Sequence, residues 1–123
     1  MGANAGPPLT SRRHRRTVFF RLKGRRAVVA GGSDAAAWKA ELLVASGAEV
    51  HVYAAEAGDE LQALAAEGSV IHHATDWTSD ALRGSAIAIC DAATEEEARR
   101  FVNAAGTAGV PANVIDRPAW WDF

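Results

Sequence analysis

Gly31, Gly32 and Ser33 close an apolar run, "AVVAGGS", and lead straight into the helical pattern that begins Asp34–Ala35–Ala36. A strand that ends in glycines and turns at once into a helix is the layout of a phosphate-binding loop. Glycine permits the tight turn, and the free N–H groups of the helix start attract an anion. The dinucleotide-binding spacing is G-x-G-x-x-G/A. Here Gly31 and Ala36 supply the first and last small positions, and Ser33 takes the middle one, where the backbone approaches the pyrophosphate. A serine hydroxyl can itself donate to a phosphate, so the loop is expected to be weakened rather than destroyed. The acid that holds the adenosine ribose usually ends the second strand. In "VYAAE" that acid is Glu56, which arrives late and either serves the ribose or opens the next helix.

Other candidates carry less. His72 and His73 are adjacent on a strand-like run, so they point to opposite faces and do not chelate one ion. With no Cys or acid at ligand spacing nearby, no resident metal is expected. Cys90 is the single cysteine; it lies in an apolar run, reads as a small buried hydrophobe, and excludes a disulfide framework. Trp38, Trp77, Trp120 and Trp121 read as packing residues rather than a stacking platform.

The elements that must hold these residues alternate along the chain. Arg26–Ala30, Glu49–Ala54, "SVIHHA", "AIAIC" and "VPANVID" read as strands, apolar without strict alternation, as in parallel strands covered on both faces. Between them lie a helix that Asp34 can cap, with Ala37, Ala40, Leu42 and Leu43 apolar, then "GDELQALAAEG", one turn in "TDWTSDALRGS", and "TEEEARRFVNAAGTAG" with Thr94 as N-cap. Right-handed crossovers then give an α/β, Rossmann-like, doubly wound parallel sheet in a single domain over 18–123, with ligands beyond the C-terminal strand ends.

The 123 residues carry a net charge of −2, but residues 1–26 hold Arg and Lys and no acid. "SRRHRR" has no interleaved aromatic residues, so residues 1–17 are read as a basic, solvated leader and nucleic-acid binding is not expected. No run approaches the ~20 apolar residues of a membrane span. The N-terminus lacks the apolar block of a signal peptide, so no membrane association and a cytoplasmic location are expected.

Several stretches together resemble one family. They are "FFRLKGRRAVVAGGSDAAAWKAELLVASGAEVHVYA" with Lys39 after the glycine loop, "CDAATEEEARRF", and "PANVIDRPAWWDF". They are similar to the N-terminal module of siroheme synthase, the NAD-dependent precorrin-2 dehydrogenase that in several members is also a sirohydrochlorin ferrochelatase. The likeness runs over about residues 18 to 123. It implies NAD along Gly31, Gly32, Ser33, Asp34 and Ala35, with Ala55 and Glu56 near the adenosine ribose and Ala92, Ala93 and Thr94 near the nicotinamide. It implies precorrin-2 as substrate, Fe2+ as a substrate of any chelatase step, and Asp116 of the "NVxD" motif as the key carboxylate.

The residues themselves allow that role. Asp116 follows the fifth apolar run, on the strand edge that also carries the glycines, where a carboxylate can accept a proton while a nicotinamide takes a hydride. It also suits a turn before Arg117–Pro118. Asn113 and Arg117 are implied as substrate contacts, the arginine by a bidentate bond to a tetrapyrrole carboxylate or else as a surface residue. Members of the family continue past the "DF" with a portion that forms a homodimer and closes the substrate pocket. A dimer is therefore expected only of a full-length form, and this chain is expected to be a fragment or a short natural form. A non-catalytic NAD-binding module is the alternative function.

Overall fold

Short β-branched runs, each followed by a helix that carries the chain back, build the sheet. The computed structural model describes residues 22–117. The strands are β1 (Arg26–Ala30), β2 (Glu49–Tyr53), β3 (Ile71–His73), β4 (Ile87–Cys90) and β5 (Ala112–Val114). The helices are α1 (Asp34–Ala45), α2 (Asp59–Ala66), α3 (Ser79–Leu82) and α4 (Glu95–Ala108). The strand order is β3-β2-β1-β4-β5, and every pairing is parallel. This is the Rossmann-like doubly wound fold that the alternation predicts. The chain winds outward from β1 to β3, then returns to lay β4 on the other side of β1, so the switch point falls between β1 and β4. Ala30 pairs with both Tyr53 and Cys90, and the three central strands therefore end level.

Alternate residues of each strand feed two cores. Ala27, Val29, Val50, Val52, Ile87 and Ile89 pack beneath α1 and α2. Val28, Ala30, Ala88, Cys90 and Val114 pack with Leu82 and Phe101 beneath α3 and α4. Ala36 is fully buried, so the last small position of the glycine loop serves close packing of helix on strand.

Several boundaries differ from the sequence reading. The N-cap of α1 is Ser33, not Asp34: its Oγ accepts from the Ala36 N–H at 3.1 Å, and Asp34 is the first helical residue. β2 ends at Tyr53, β3 keeps only Ile71–His73, and β5 only Ala112–Val114. Val70 and Val110 are buried just outside the ladders, so their apolar character reports core contact rather than strand pairing. Beyond β5 the chain turns, with Arg117 N–H bonded to Val114 O at 3.2 Å. Trp38 is 58% exposed, contrary to its reading as a packing residue, and Leu42, one of the apolar positions at helical spacing, is 40% exposed. The buried stripe of α1 is Ala36, Ala37, Ala40 and Leu43, and Trp38 lies off it with the Lys39 ammonium 5.4 Å from its ring centroid.

No helix among the described residues is long and apolar enough to cross a membrane. The basic leader 1–17, Phe19, Phe20, Pro118, Trp120 and Trp121 lie outside the described residues.

Candidate functional site

At the switch point the level strand ends open into a cavity of about 420 Å³. Gly31 and Gly32 line it from the β1–α1 loop, Ala55 and Glu56 from the β2–α2 loop, and Cys90 and Asp91 from the end of β4. Trp77 and Arg100 add an aromatic face and a cation. Trp77 is held edge-on against Phe101, with ring centroids 5.2 Å apart.

The two glycines are there because three chain segments converge on them. Gly31 has φ +131°, and a Cβ on it would lie 2.9 Å from the Asp91 Cβ. A Cβ on Gly32 would lie 2.1 Å from the carbonyl oxygen of Glu56. Gly58 N–H donates to Gly32 O at 2.8 Å, which laces the first loop to the second. Among the described residues, the N–H groups of Gly32, Ser33, Asp34 and Ala35 have no hydrogen-bond acceptor. Unused donors at a helix start, above a cradle that any side chain would fill, suit a phosphate-bearing ligand.

Ser33 is not idle. Its hydroxyl accepts from Ala36 N–H and donates to the carboxylate of Asp91. Asp91 is the residue that the sequence reading passed over. Its signal was available: it comes directly after the apolar run "AIAIC", at the same kind of strand end that drew attention to Gly31. The wall is acidic, with Glu56, Asp76, Asp91 and Glu97 facing Arg100 as the one cation among the lining residues. Burial, together with Asp91 and Glu97 and against Arg100, pushes the Cys90 thiol up to about 12, so it is no nucleophile at neutral pH.

Of the residues expected at the site, the cavity brings together Gly31, Gly32, Ala55 and Glu56, with Ser33 beside them through Asp91. Asp34 and Ala35 sit exposed in the first turn of α1. Ala92, Ala93 and Thr94 do not line the cavity and instead start α4. Ala92 is buried, Ala93 N–H donates to Glu97 Oε2 at 3.1 Å, and Thr94 Oγ1 accepts from Glu97 N–H at 3.1 Å. Asn113 is half-buried on β5 opposite Ile89. Asp116 is exposed in the turn after β5 at φ 61°, a conformation that Asp tolerates better than most residues. It stands on the same edge of the sheet as Gly31 but two strands away, about 10 Å at ordinary strand spacing. Arg117, half-buried, closes that turn through its backbone.

The histidines divide as adjacent strand residues must. His72 Nε2 donates to Ala54 O at 2.9 Å, while His73 Nε2 meets His51 Nδ1 at 2.9 Å on the other face. His51 Nε2 also bonds Glu49 at 2.7 Å, and Tyr53 stacks on His73 with ring centroids 4.3 Å apart. Burial, then the charges of His51, Arg26 and His72, hold His73 below the ordinary imidazole range. Among the described residues no group of three or more His, Cys, Asp or Glu is placed to hold a metal ion.

Residues 18–123 match a family described as "Putative NAD(P)-binding". The chain is similar to siroheme synthase of Nitrosomonas europaea, 38% identical over 103 residues, which covers 82% of this chain and 22% of that protein. It is likewise similar to siroheme synthase of Ectopseudomonas mendocina, 40% identical over 105 residues, 83% of this chain and 22% of that protein. The chain thus spans about a fifth of the length of the curated relatives it matches. Among solved structures, SirC, precorrin-2 dehydrogenase, shares the fold with a TM-score of 0.59 at 23% identity, over 67% of this chain and 41% of that one.

Proposed function

The chain belongs to the NAD(P)-binding family that matches its residues 18–123, and from that premise we propose that it is the cofactor-binding part of an NAD-dependent precorrin-2 dehydrogenase, oxidising precorrin-2 to sirohydrochlorin in siroheme biosynthesis. The observation that carries this reading is the switch-point crevice, where Gly31 and Gly32 are pressed by neighbouring backbone and side chain and four N–H donors stand without acceptors. The likeness of four-fifths of the chain to siroheme synthases supports the substrate.

In this reading Gly32, Ser33, Asp34 and Ala35 hold the pyrophosphate by their N–H groups, and Glu56 accepts from the adenosine ribose. NAD, when bound, supplies the hydride acceptor. Asp116 takes the proton that the tetrapyrrole loses as the hydride leaves, so two hydrogens are removed and charge balances. Asn113 and Arg117, on the same strand and turn, bind the substrate, Arg117 at a tetrapyrrole carboxylate. The same carboxylate of Asp116 would serve a following insertion of Fe2+, and the homodimer belongs to a longer form of the chain.

Calorimetric titration with both cofactors tests the reading. NAD is expected to bind more tightly than NADP, because the β2–α2 side of the cavity offers Glu56 and no cation to a 2′-phosphate. Equal or tighter binding of NADP removes the assignment.

A further inference from the structure

The hydroxyl that could serve a phosphate is already serving a carboxylate. Ser33 Oγ accepts from Ala36 N–H and donates its one proton to Asp91. Asp91 cannot stand far from the loop, because its Cβ lies 2.9 Å from where a side chain on Gly31 would begin. Its negative charge therefore sits at the start of α1, beside the donors of Gly32, Ser33, Asp34 and Ala35 that lack acceptors among the described residues. A helix N-terminus favours an anion wherever one comes from. Here the fold supplies its own, from a strand neighbouring in space but 58 residues away in sequence. A pyrophosphate arriving at the same donors meets a like charge, in a wall where Glu56, Asp76 and Glu97 are also acidic.

We propose that Asp91 sets the cofactor affinity of this site: its carboxylate stands in for a phosphate oxygen at the Ser33 hydroxyl, and the dinucleotide binds by displacing it. The proposal rests on the assignment of the crevice to a dinucleotide. It makes Asp91 an affinity-setting residue that favours release. A bound cofactor turns the Ser33 proton outward, and departure of the cofactor is assisted by the return of the carboxylate to its partner.

The test uses the 123-residue chain and three variants, D91N, D91S and S33A, with the double variant S33A/D91N. Asn keeps the shape of the side chain and removes its charge, and Ser removes both charge and reach. If Asn disturbs the fold, Ser still reports. Calorimetry with NAD is expected to show D91N and D91S binding about tenfold more tightly than the parent, the scale of removing one close like charge at a partly solvated site. S33A is expected to weaken NAD binding several-fold in D91N and by less in the parent, where the hydroxyl only exchanges one anion for another. A merely structural Asp91 would not produce that coupling. Inorganic pyrophosphate is expected to raise the melting temperature of D91N and D91S more than that of the parent. NAD affinity equal to or below the parent's in both Asp91 variants overturns the proposal while leaving the cofactor assignment in place. Pyrophosphate stabilisation of the variants without NAD binding overturns the cofactor assignment while the displacement stands. A response to neither ligand in any variant overturns both.

Discussion

Gly32 and Gly68 are equivalent on paper, each a glycine beside a helix end, but their neighbours separate them. A Cβ on Gly32 would meet the Glu56 carbonyl oxygen at 2.1 Å and the Ala57 Cα at 3.0 Å, both backbone atoms that cannot rotate away. A Cβ on Gly68 would meet nothing within 4 Å, and only its φ of +81° resists substitution. Gly32→Ala must push the β2–α2 loop off the β1–α1 loop, at a cost of about 1–3 kcal/mol for overpacking, with loss of NAD binding. Gly68→Ala should cost about 1–2 kcal/mol for left-handed backbone alone and leave NAD binding intact. Urea unfolding and NAD titration of both variants check this. A Gly32→Ala protein that binds NAD like the parent would show that the close approach of the loops is not what shapes the crevice. The need for glycine at 31 and 32 was legible from their place after an apolar run. The place of Asp91 at a strand end was legible too, but its tie to Ser33 was not, because it joins segments 58 residues apart and no local pattern encodes that contact.

Among the elements, β2 shows where pattern suffices and where it stops. In "EVHVY" the valines face the core and the residues between them face the other side, and that much follows from the period of a strand. What His51 and Tyr53 do on their face depends on the register of β3, which sets His73 beside both. The sequence does not state that register. The consequence is a measurable pH dependence. His73 is surrounded by His51, Arg26 and His72, with Glu49 bonded to His51 and Tyr53 stacked on His73, and it binds a proton less readily folded than unfolded. The stability this contributes is present above the ordinary value of 6.5 and is lost as pH falls from there through the lowered folded value. Thermal melts between about pH 5 and pH 8, the imidazole range, should fall more steeply on acidification for the parent than for His73→Phe, which keeps a ring against Tyr53 and cannot titrate. Parallel curves would place the acid sensitivity elsewhere. The helix starts were easier to read: Thr94 caps α4 with three glutamates in its first turn, as its composition indicates, and only the cap of α1 slipped by one residue, to Ser33.

For the whole molecule, the alternation of strands and helices was enough to give the sheet, its parallel sense and the edge on which the crevice opens. It was not enough to say which side chains reach the crevice, since Ala92, Ala93 and Thr94 share that edge but are spent on starting α4. Asp116 shares the edge as well, two strands from Gly31 and in a turn with φ 61°. Its proposed role separates from cofactor binding, and that makes it testable. In a form of this chain extended to the length of its relatives, Asp116→Asn should lower precorrin-2 turnover by about 10²- to 10⁴-fold, the usual value of a general base, and leave the NAD dissociation constant where it was. Turnover near the parent rate would make Asp116 a turn residue only. The parallel run of β5 has one more implication. The backbone passes Arg117 on the side of the sheet where the crevice opens, so a polypeptide joined beyond it starts on the same side as the β1–α1 loop. A short flexible tether holds its cargo at an effective concentration on the order of millimolar. A substrate-binding segment attached on that side would need little intrinsic affinity for this domain to work with it, and one attached at the opposite end of the strands would have the length of the strands to cross.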